Sequence, residues 1–195
     1  KDILKISDYV GYLNVVVFVP EDLSLVKGSP SIRRKFLDLE LSKISPIYVF
    51  HLTKYNKLLK ERNQYLKLLV KNNGSYDDYL LVLDEQLAKI QIEIMRKRIE
   101  FIHSLSQYYQ TIYPQISSKD ETVDIEYGCF IKELNEDHIL NLYKKSFHRD
   151  LKYQQTHYGI HKDDLKIYID HKIAGQFASQ GQQRSIVLSL KIALI

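Results

Sequence analysis

The hydrophobic positions along the chain fall into blocks of different period. Val15-Val16-Val17-Phe18-Val19, closed by Pro20, is a β-branched and aromatic run of strand length. Lacking polar alternation, it predicts a strand covered on both faces. Ser29-Pro30 and Ser45-Pro46 each read as an N-cap followed by proline at the first helical position. They open one helix from Ser31 to near Lys43 and a longer one from near Ile47. The longer helix carries a seam at Tyr48, Leu52, Tyr55, Leu59, Arg62, Leu66 and Leu69, in alternating steps of four and three. After the turn residues Lys71-Asn72-Asn73-Gly74-Ser75, a second seam runs through Leu80, Leu83, Leu87, Ile90, Ile94, Lys97 and Phe101. Two such seams across a short turn predict an antiparallel helical hairpin, a short coiled-coil arm roughly 40 Å long at ~1.5 Å per residue. Thr122-Val123-Asp124-Ile125-Glu126-Tyr127 alternates and predicts a strand with one wet face. Asn135-Glu136-Asp137 starts a helix expected to reach Tyr158 and end at Gly159. Leu165-Lys166-Ile167-Tyr168-Ile169 and the turn Asp170-His171-Lys172 predict a β-hairpin. The fold class that emerges is α+β, dominated by helix.

Composition narrows this picture. The 195 residues are 45% hydrophobic and 27% charged, which excludes a disordered tail and suits one compact domain or a core plus an extension. No apolar stretch of about 18 residues occurs, so no membrane partner is expected. A single cysteine, Cys129, excludes a disulfide framework and suits a reducing, cytoplasmic setting. The net charge of +4 permits nucleic acid as a partner without demanding it. The chain begins at Lys1 and finishes inside the helical pattern Ser189–Ile195, and is therefore read as part of something longer.

The richest local chemistry is Ser179-Gln180-Gly181-Gln182-Gln183-Arg184, set just before an apolar helical run. A helix start presents free N–H groups and a positive dipole end; a glycine allows close backbone approach and a serine adds a hydroxyl. These are the parts of a phosphate cradle, although a serine there can equally be a plain N-cap. On the outer face of the first hairpin helix, Lys57, Lys60, Gln64, Lys67 and Lys71 form a row. Between Lys54 and Lys71 six basic residues face one acid, a local charge of +5. Such a row tracks nucleic-acid phosphates or is a solvated helix face. Arg96, Lys97 and Arg98 extend the basic character to the second helix. Arg33-Arg34-Lys35 reads as a phosphate site or as partners of Asp38, Glu40 or Glu21. Asp163 and Asp164 lie beside His161, but neighbours in an extended segment face opposite ways, so pairing is favoured over catalysis. His157 and His161 straddle Gly159, which argues against zinc, and Cys129 reads as an inert thiol.

Gly159-Ile160-His161-Lys162-Asp163-Asp164-Leu165, Ile167-Tyr168-Ile169 and Ser179 to Arg184 together closely resemble the RecF family of bacterial DNA repair proteins. So do Val17-Phe18-Val19-Pro20-Glu21-Asp22-Leu23, Val26-Lys27-Gly28-Ser29-Pro30 and Arg33-Arg34-Lys35-Phe36-Leu37-Asp38. Ile160 and Lys162 depart from the family's proline and arginine. The resemblance implies the signature-motif lobe of an ABC-type ATPase, divided into a base segment (1–44), a hairpin arm (45–113), a strand plus helix (114–158) and a signature segment (159–195). It implies that Ser179, Gln180, Gly181 and Gln182 contact the γ-phosphate of ATP in trans across a homodimer, with Mg in the full-length protein. It further implies DNA near single-strand to double-strand junctions as substrate. The candidate contacts are Lys57, Lys60, Lys67 and Lys71, from the charge and spacing of their row, and Arg33 and Arg34, which the resemblance sets near the ATPase lobe against nucleotide or DNA. RecO and RecR are the implied partners and RecA loading the implied outcome. No glycine is followed by lysine, so a P-loop is absent. Leu80-Leu81-Val82-Leu83-Asp84-Glu85 imitates a Walker B motif but keeps the helical seam. The chain alone is thus expected to bind no ATP or Mg and to be inactive. The alternative is a non-enzymatic helical scaffold binding protein partners.

Overall fold

A computed structural model describes residues 16–72, 74–117, 120–131 and 133–195. A 3-10 turn (Pro20–Leu23) leads into α1 (Ser24–Lys27), α2 (Pro30–Ile44), α3 (Pro46–Lys71) and α4 (Asp78–Ile116). Then come β1 (Val123–Gly128), α5 (Glu136–Tyr153), β2 (Asp164–Ile169), β3 (Lys172–Ile173), α6 (Ala174–Phe177) and α7 (Gln180–Ile192). The fold is α-dominant α+β with one three-stranded antiparallel sheet in the order β1-β2-β3. No helix among the described residues is long and apolar enough to cross a membrane.

The chain divides into two compact units. One contains Ser29–Ser104 and Ile125–Lys166. In it α3 and α4 form the expected antiparallel hairpin: Arg62 meets Asp84 near one end and Tyr48 meets Arg98 near the other. Proline begins α3, and Ser45 caps it by accepting the Tyr48 N–H at 3.2 Å. Ser29 precedes α2 but does not cap it with its side chain; its hydroxyl bonds Ser31 at 2.7 Å instead. Asp77 accepts the Leu80 N–H at 2.9 Å at the start of α4. Tyr48, Tyr55, Leu83, Leu87, Ile94 and Met95 bury together with Ile139 and Tyr143 of α5, so a third helix lies along the hairpin.

The other unit contains residues 16–28, Leu105–Asp124 and Ile167–Ile195. Leu25, Val26, Tyr109, Tyr113, Ile167, Ile169, Ile186, Val187 and Leu190 are among its buried residues, and α1 packs against α6 and α7. Alternate residues of β2 are buried. Tyr168 pairs with Ile173 and Ile169 with Lys172 across a turn whose Asp170 and His171 have φ of 45° and 61°. Two successive left-handed residues make the tight hairpin turn that matches strand twist.

Four expectations are corrected. Val16–Val19 form no strand; Val17 and Val19 are exposed, and the Val17 carbonyl accepts from Lys191 rather than from a ladder. Val15 lies outside the described residues, as do Lys1 and Asn73. Helix α5 ends at Tyr153, because Gln154 takes a left-handed conformation (φ 53°) five residues before Gly159. Lys97 is exposed, and Arg98 occupies the buried place on α4. Arg33 pairs with none of Asp38, Glu40 or Glu21; its guanidinium forks onto Asp164 at 2.7 and 2.9 Å.

Candidate functional site

The start of α7 is built by what precedes it. Helix α6 packs on α1 so closely that a Cβ on Gly175 would lie 2.5 Å from the Val26 carbonyl oxygen. Ala178 and Ser179 then run extended into the helix. Ser179 and Gln182 cap each other: the Gln182 N–H donates to Ser179 Oγ at 3.3 Å, and the Ser179 N–H donates to Gln182 Oε1 at 2.6 Å. Gln182 Nε2 donates to Glu121 Oε1 at 2.8 Å, and Gln183 Nε2 donates to the Ala178 carbonyl at 2.7 Å. This reciprocal box leaves the N–H groups of Gln180 and Gly181 without an acceptor among the described residues. Ser179, Gln180 and Gly181 are exposed, a Cβ on Gly181 would touch nothing, and the first turn of α7 holds no acid. Because Ser179 Oγ accepts from Gln182, its hydroxyl proton is available to another acceptor. The result is an open, electropositive helix terminus with three donors. The Glu121 contact escaped the sequence pattern, since 61 residues separate the partners.

Lys57, Lys60, Lys67 and Lys71 are exposed along α3. Asn56, Leu59, Lys60, Asn63, Gln64 and Lys67 line a groove of about 360 Å³ on that helix. Arg62 does not contribute to the row: it is fully buried, so the exposed charge there is carried by lysines alone. Arg96 and Lys97 are engaged by Glu93 and Glu100 at 2.9 and 2.8 Å. Arg98 is buried rather than part of a basic surface. It donates to Asp38 at 2.8 Å, to the Tyr48 hydroxyl at 3.0 Å and to the Ile160 carbonyl at 3.0 Å. The Leu80–Glu85 segment is helical, and its Asp84 pairs with Arg62 at 2.5 Å.

Asp163 and Asp164 separate as extended neighbours must. Asp164 holds Arg33, whereas buried Asp163 accepts the Tyr127 hydroxyl, and its carbonyl accepts Arg34 at 2.7 Å. His161 bonds the Tyr55 hydroxyl through Nδ1 (2.7 Å) and the Thr156 carbonyl through Nε2 (3.0 Å). A carbonyl only accepts, so Nε2 carries the proton and Nδ1 accepts from Tyr55. His157 bonds Asp150 at 2.8 Å. Among the described residues no group of three or more His, Cys, Asp or Glu could hold a metal ion. Cys129 is half-buried, donates to the Ile131 carbonyl at 3.0 Å and has its thiol pKa pushed up by burial.

Burial pushes Asp163 up to about 6 and His161 down to about 4, the latter helped by the positive charges of Lys162 and Arg34. The two act in opposite senses on stability. Between pH 4 and 6 folded Asp163 keeps a proton that the unfolded chain has lost, so its contribution falls as pH rises. Over pH 4 to 6.5 folded His161 lacks a proton that the unfolded chain holds, so its contribution rises with pH. The two slopes oppose each other in the wild type. Asp163→Asn removes one of them, and its stability relative to wild type is expected to climb by up to about 1.4 kcal/mol per pH unit from pH 4 to 6. Urea unfolding at a series of pH values measures this; parallel profiles for the two proteins refute it.

No family model matches the chain. Curated proteins do. The DNA replication and repair protein RecF of Streptococcus gordonii is 44% identical over 196 residues, covering 98% of this chain and 53% of that protein. RecF of Streptococcus pneumoniae strain P1031 is 43% identical over 98% of this chain and 52% of its own length. RecF of Lactobacillus johnsonii is 42% identical over 98% and 53%. The chain spans about half the length of the curated relatives it matches. Among solved structures, the recombination mediator protein RecF-ATP of the RecFOR pathway aligns with a TM-score of 0.85 at 34% identity, over 94% of this chain and 50% of the other. A RecF-ATPrS structure aligns equally well, over 98% of this chain and 53% of its own. Agreement in sequence and in fold runs across almost every residue present, and on that ground the chain belongs to the RecF family.

Proposed function

We propose that this chain supplies the signature-bearing lobe of a RecF-type ATPase that acts on DNA in replication and repair. The observation that carries the reading is the open start of α7, where the Gln180 and Gly181 N–H groups and the Ser179 hydroxyl are free to donate together. In the proposal they bind terminal phosphate oxygens of ATP held by a second protomer, and the α7 dipole favours that negative charge. Bound ATP supplies a phosphate that two protomers share and whose cleavage ends the sharing. In the proposal any Mg accompanies the ATP held by the second protomer. The α3 lysines follow the DNA backbone without reading its sequence, which makes affinity salt-dependent. By family likeness the assembled dimer clamps DNA at single-strand gaps and works with RecO and RecR in loading RecA.

The test places Ser179→Arg in a full-length RecF carrying this chain. The bulky cation blocks the helix terminus on its exposed side while leaving the partner's nucleotide pocket alone. ATP-dependent dimerisation, followed by sedimentation velocity, is expected to disappear, with ATP binding nearly unchanged. Dimerisation at the wild-type ATP concentration overturns the role in trans.

A further inference from the structure

Helix α2 turns a polar face, and α3 a mixed one, toward a concave pocket of about 340 Å³. Ser31, Arg34, Lys35 and Asp38 come from one face of α2, and Asn56 from α3 beside the apolar Leu52 and Tyr55. Arg98 and His161 complete the polar lining. All these residues belong to one compact unit.

The charges in the pocket do not balance. Arg98 pairs with Asp38, the only acid in the lining, at 2.8 Å, and Asp38 also accepts the Tyr48 hydroxyl at 2.5 Å. Arg34 donates to a neutral acceptor, the Asp163 carbonyl. Neither Arg34 nor Lys35 has a carboxylate within ion-pair distance among the described residues. The first turn of α2 also contains no acid, so its helix dipole adds to the positive field. His161 answers that field by staying neutral, with both ring nitrogens already bonded. Lys35, Arg34 (whose charge also acts on the nearby buried Asp163 carboxyl), a hydroxyl and an amide thus converge on a space of small-ligand size.

We propose that this pocket binds a phosphate group, from a nucleotide or from a nucleic-acid backbone, held by Arg34 and Lys35 with Ser31 and Asn56 as neutral donors. Two cations of different geometry flanked by neutral donors match the several oxygens of a phosphate better than a lone carboxylate. Arg34 presents a planar fork, and Lys35 a mobile point charge able to adapt to either source. The inference rests on the proposed action on nucleotide and DNA and deepens it by assigning a separate pocket, since neither Ser179 nor any lysine of the α3 row lines it.

Pyrophosphate is the first probe, with binding followed by calorimetry and by the NMR resonances of the His161 ring. Saturable binding is expected, with the His161 titration midpoint rising from about 4 because an anion stabilises the imidazolium. Lys35→Glu changes an exposed side chain outside any described ion pair, and is expected to weaken pyrophosphate about tenfold or more. ATP and a short deoxythymidine oligomer then replace pyrophosphate. The one that moves His161 in the wild type and not in Lys35→Glu identifies the source. Repeating the oligomer titration in Lys60→Glu/Lys67→Glu separates this pocket from the α3 row, since the His161 response is expected to survive there. A His161 ring unmoved by all three probes, or Lys35→Glu binding pyrophosphate as tightly as wild type, overturns the proposal.

Discussion

Replacing Arg62 with methionine is expected to destabilise the protein by about 3–5 kcal/mol. Arg62 is fully buried, and its guanidinium bonds Asp84 at 2.5 Å, Asp150 at 2.8 Å and Thr156 Oγ1 at 2.9 Å, lying 4.9 Å from the centre of the Tyr143 ring. Asp84 also accepts from Tyr76, and Asp150 from Ser146 and His157. Without the arginine, two buried carboxylates remain in one low-dielectric site. Burial already raises the Asp84 pKa despite its partner. Losing that partner raises it further, so the variant gains stability relative to wild type as pH falls. Urea unfolding at two pH values reads both effects. Adding Asp84→Asn and Asp150→Asn to Arg62→Met is expected to restore part of the loss, because the cost lies in the abandoned charges. A single-variant loss below about 1 kcal/mol would show that water reaches the site.

Gly159→Ala carries the second large effect, about 3 kcal/mol or more. Gly159 has φ of 138°, a conformation that side-chain-bearing residues rarely adopt, and such strain costs roughly 1–3 kcal/mol. A Cβ there would overlap the Tyr55 hydroxyl and lie 3.0 Å from both Gln91 Oε1 and His161 Nδ1. Tyr55 cannot easily retreat, being buried and bonded to His161. In Tyr55→Phe the obstructing oxygen is gone, so Gly159→Ala is expected to cost less in that background. A double-mutant cycle measures the difference, and strict additivity would assign the whole loss to the backbone.

The hairpin and the β2–β3 turn were legible because each writes its geometry locally. Alternating steps of four and three placed Tyr48, Tyr55, Leu66, Leu80, Leu87 and Ile94 in the core, and two left-handed turn residues follow the alternating strand. Arg62 is legible as a seam position, whereas its buried partners Asp84 and Asp150 lie far along the chain and are not. Helix α4 was harder to read. Leu80, Asp84, Leu87, Gln91, Ile94, Arg98 and Ile102 all lie on its buried stripe, but three of them are polar. A hydrophobic pattern skips such residues and puts Lys97 on the stripe where Arg98 lies. Gly159 read as a helix stop when its freedom serves a close approach to Tyr55. The α7 cap was local and visible, whereas Arg33 with Asp164 and Gln182 with Glu121 join distant segments that no window can connect.

Helix α4 runs unbroken from Asp78 to Ile116, and the boundary between the two compact units falls within it at Ser104 and Leu105. A continuous helix has no slack in register. One residue inserted between Tyr109 and Tyr113, both in the same unit, would turn Tyr113 by about 100° relative to Tyr109 and carry it off the buried face they share. Within each unit, therefore, a change in chain length is expected to be tolerated in the connections and not inside the stretch of α4 that the unit buries.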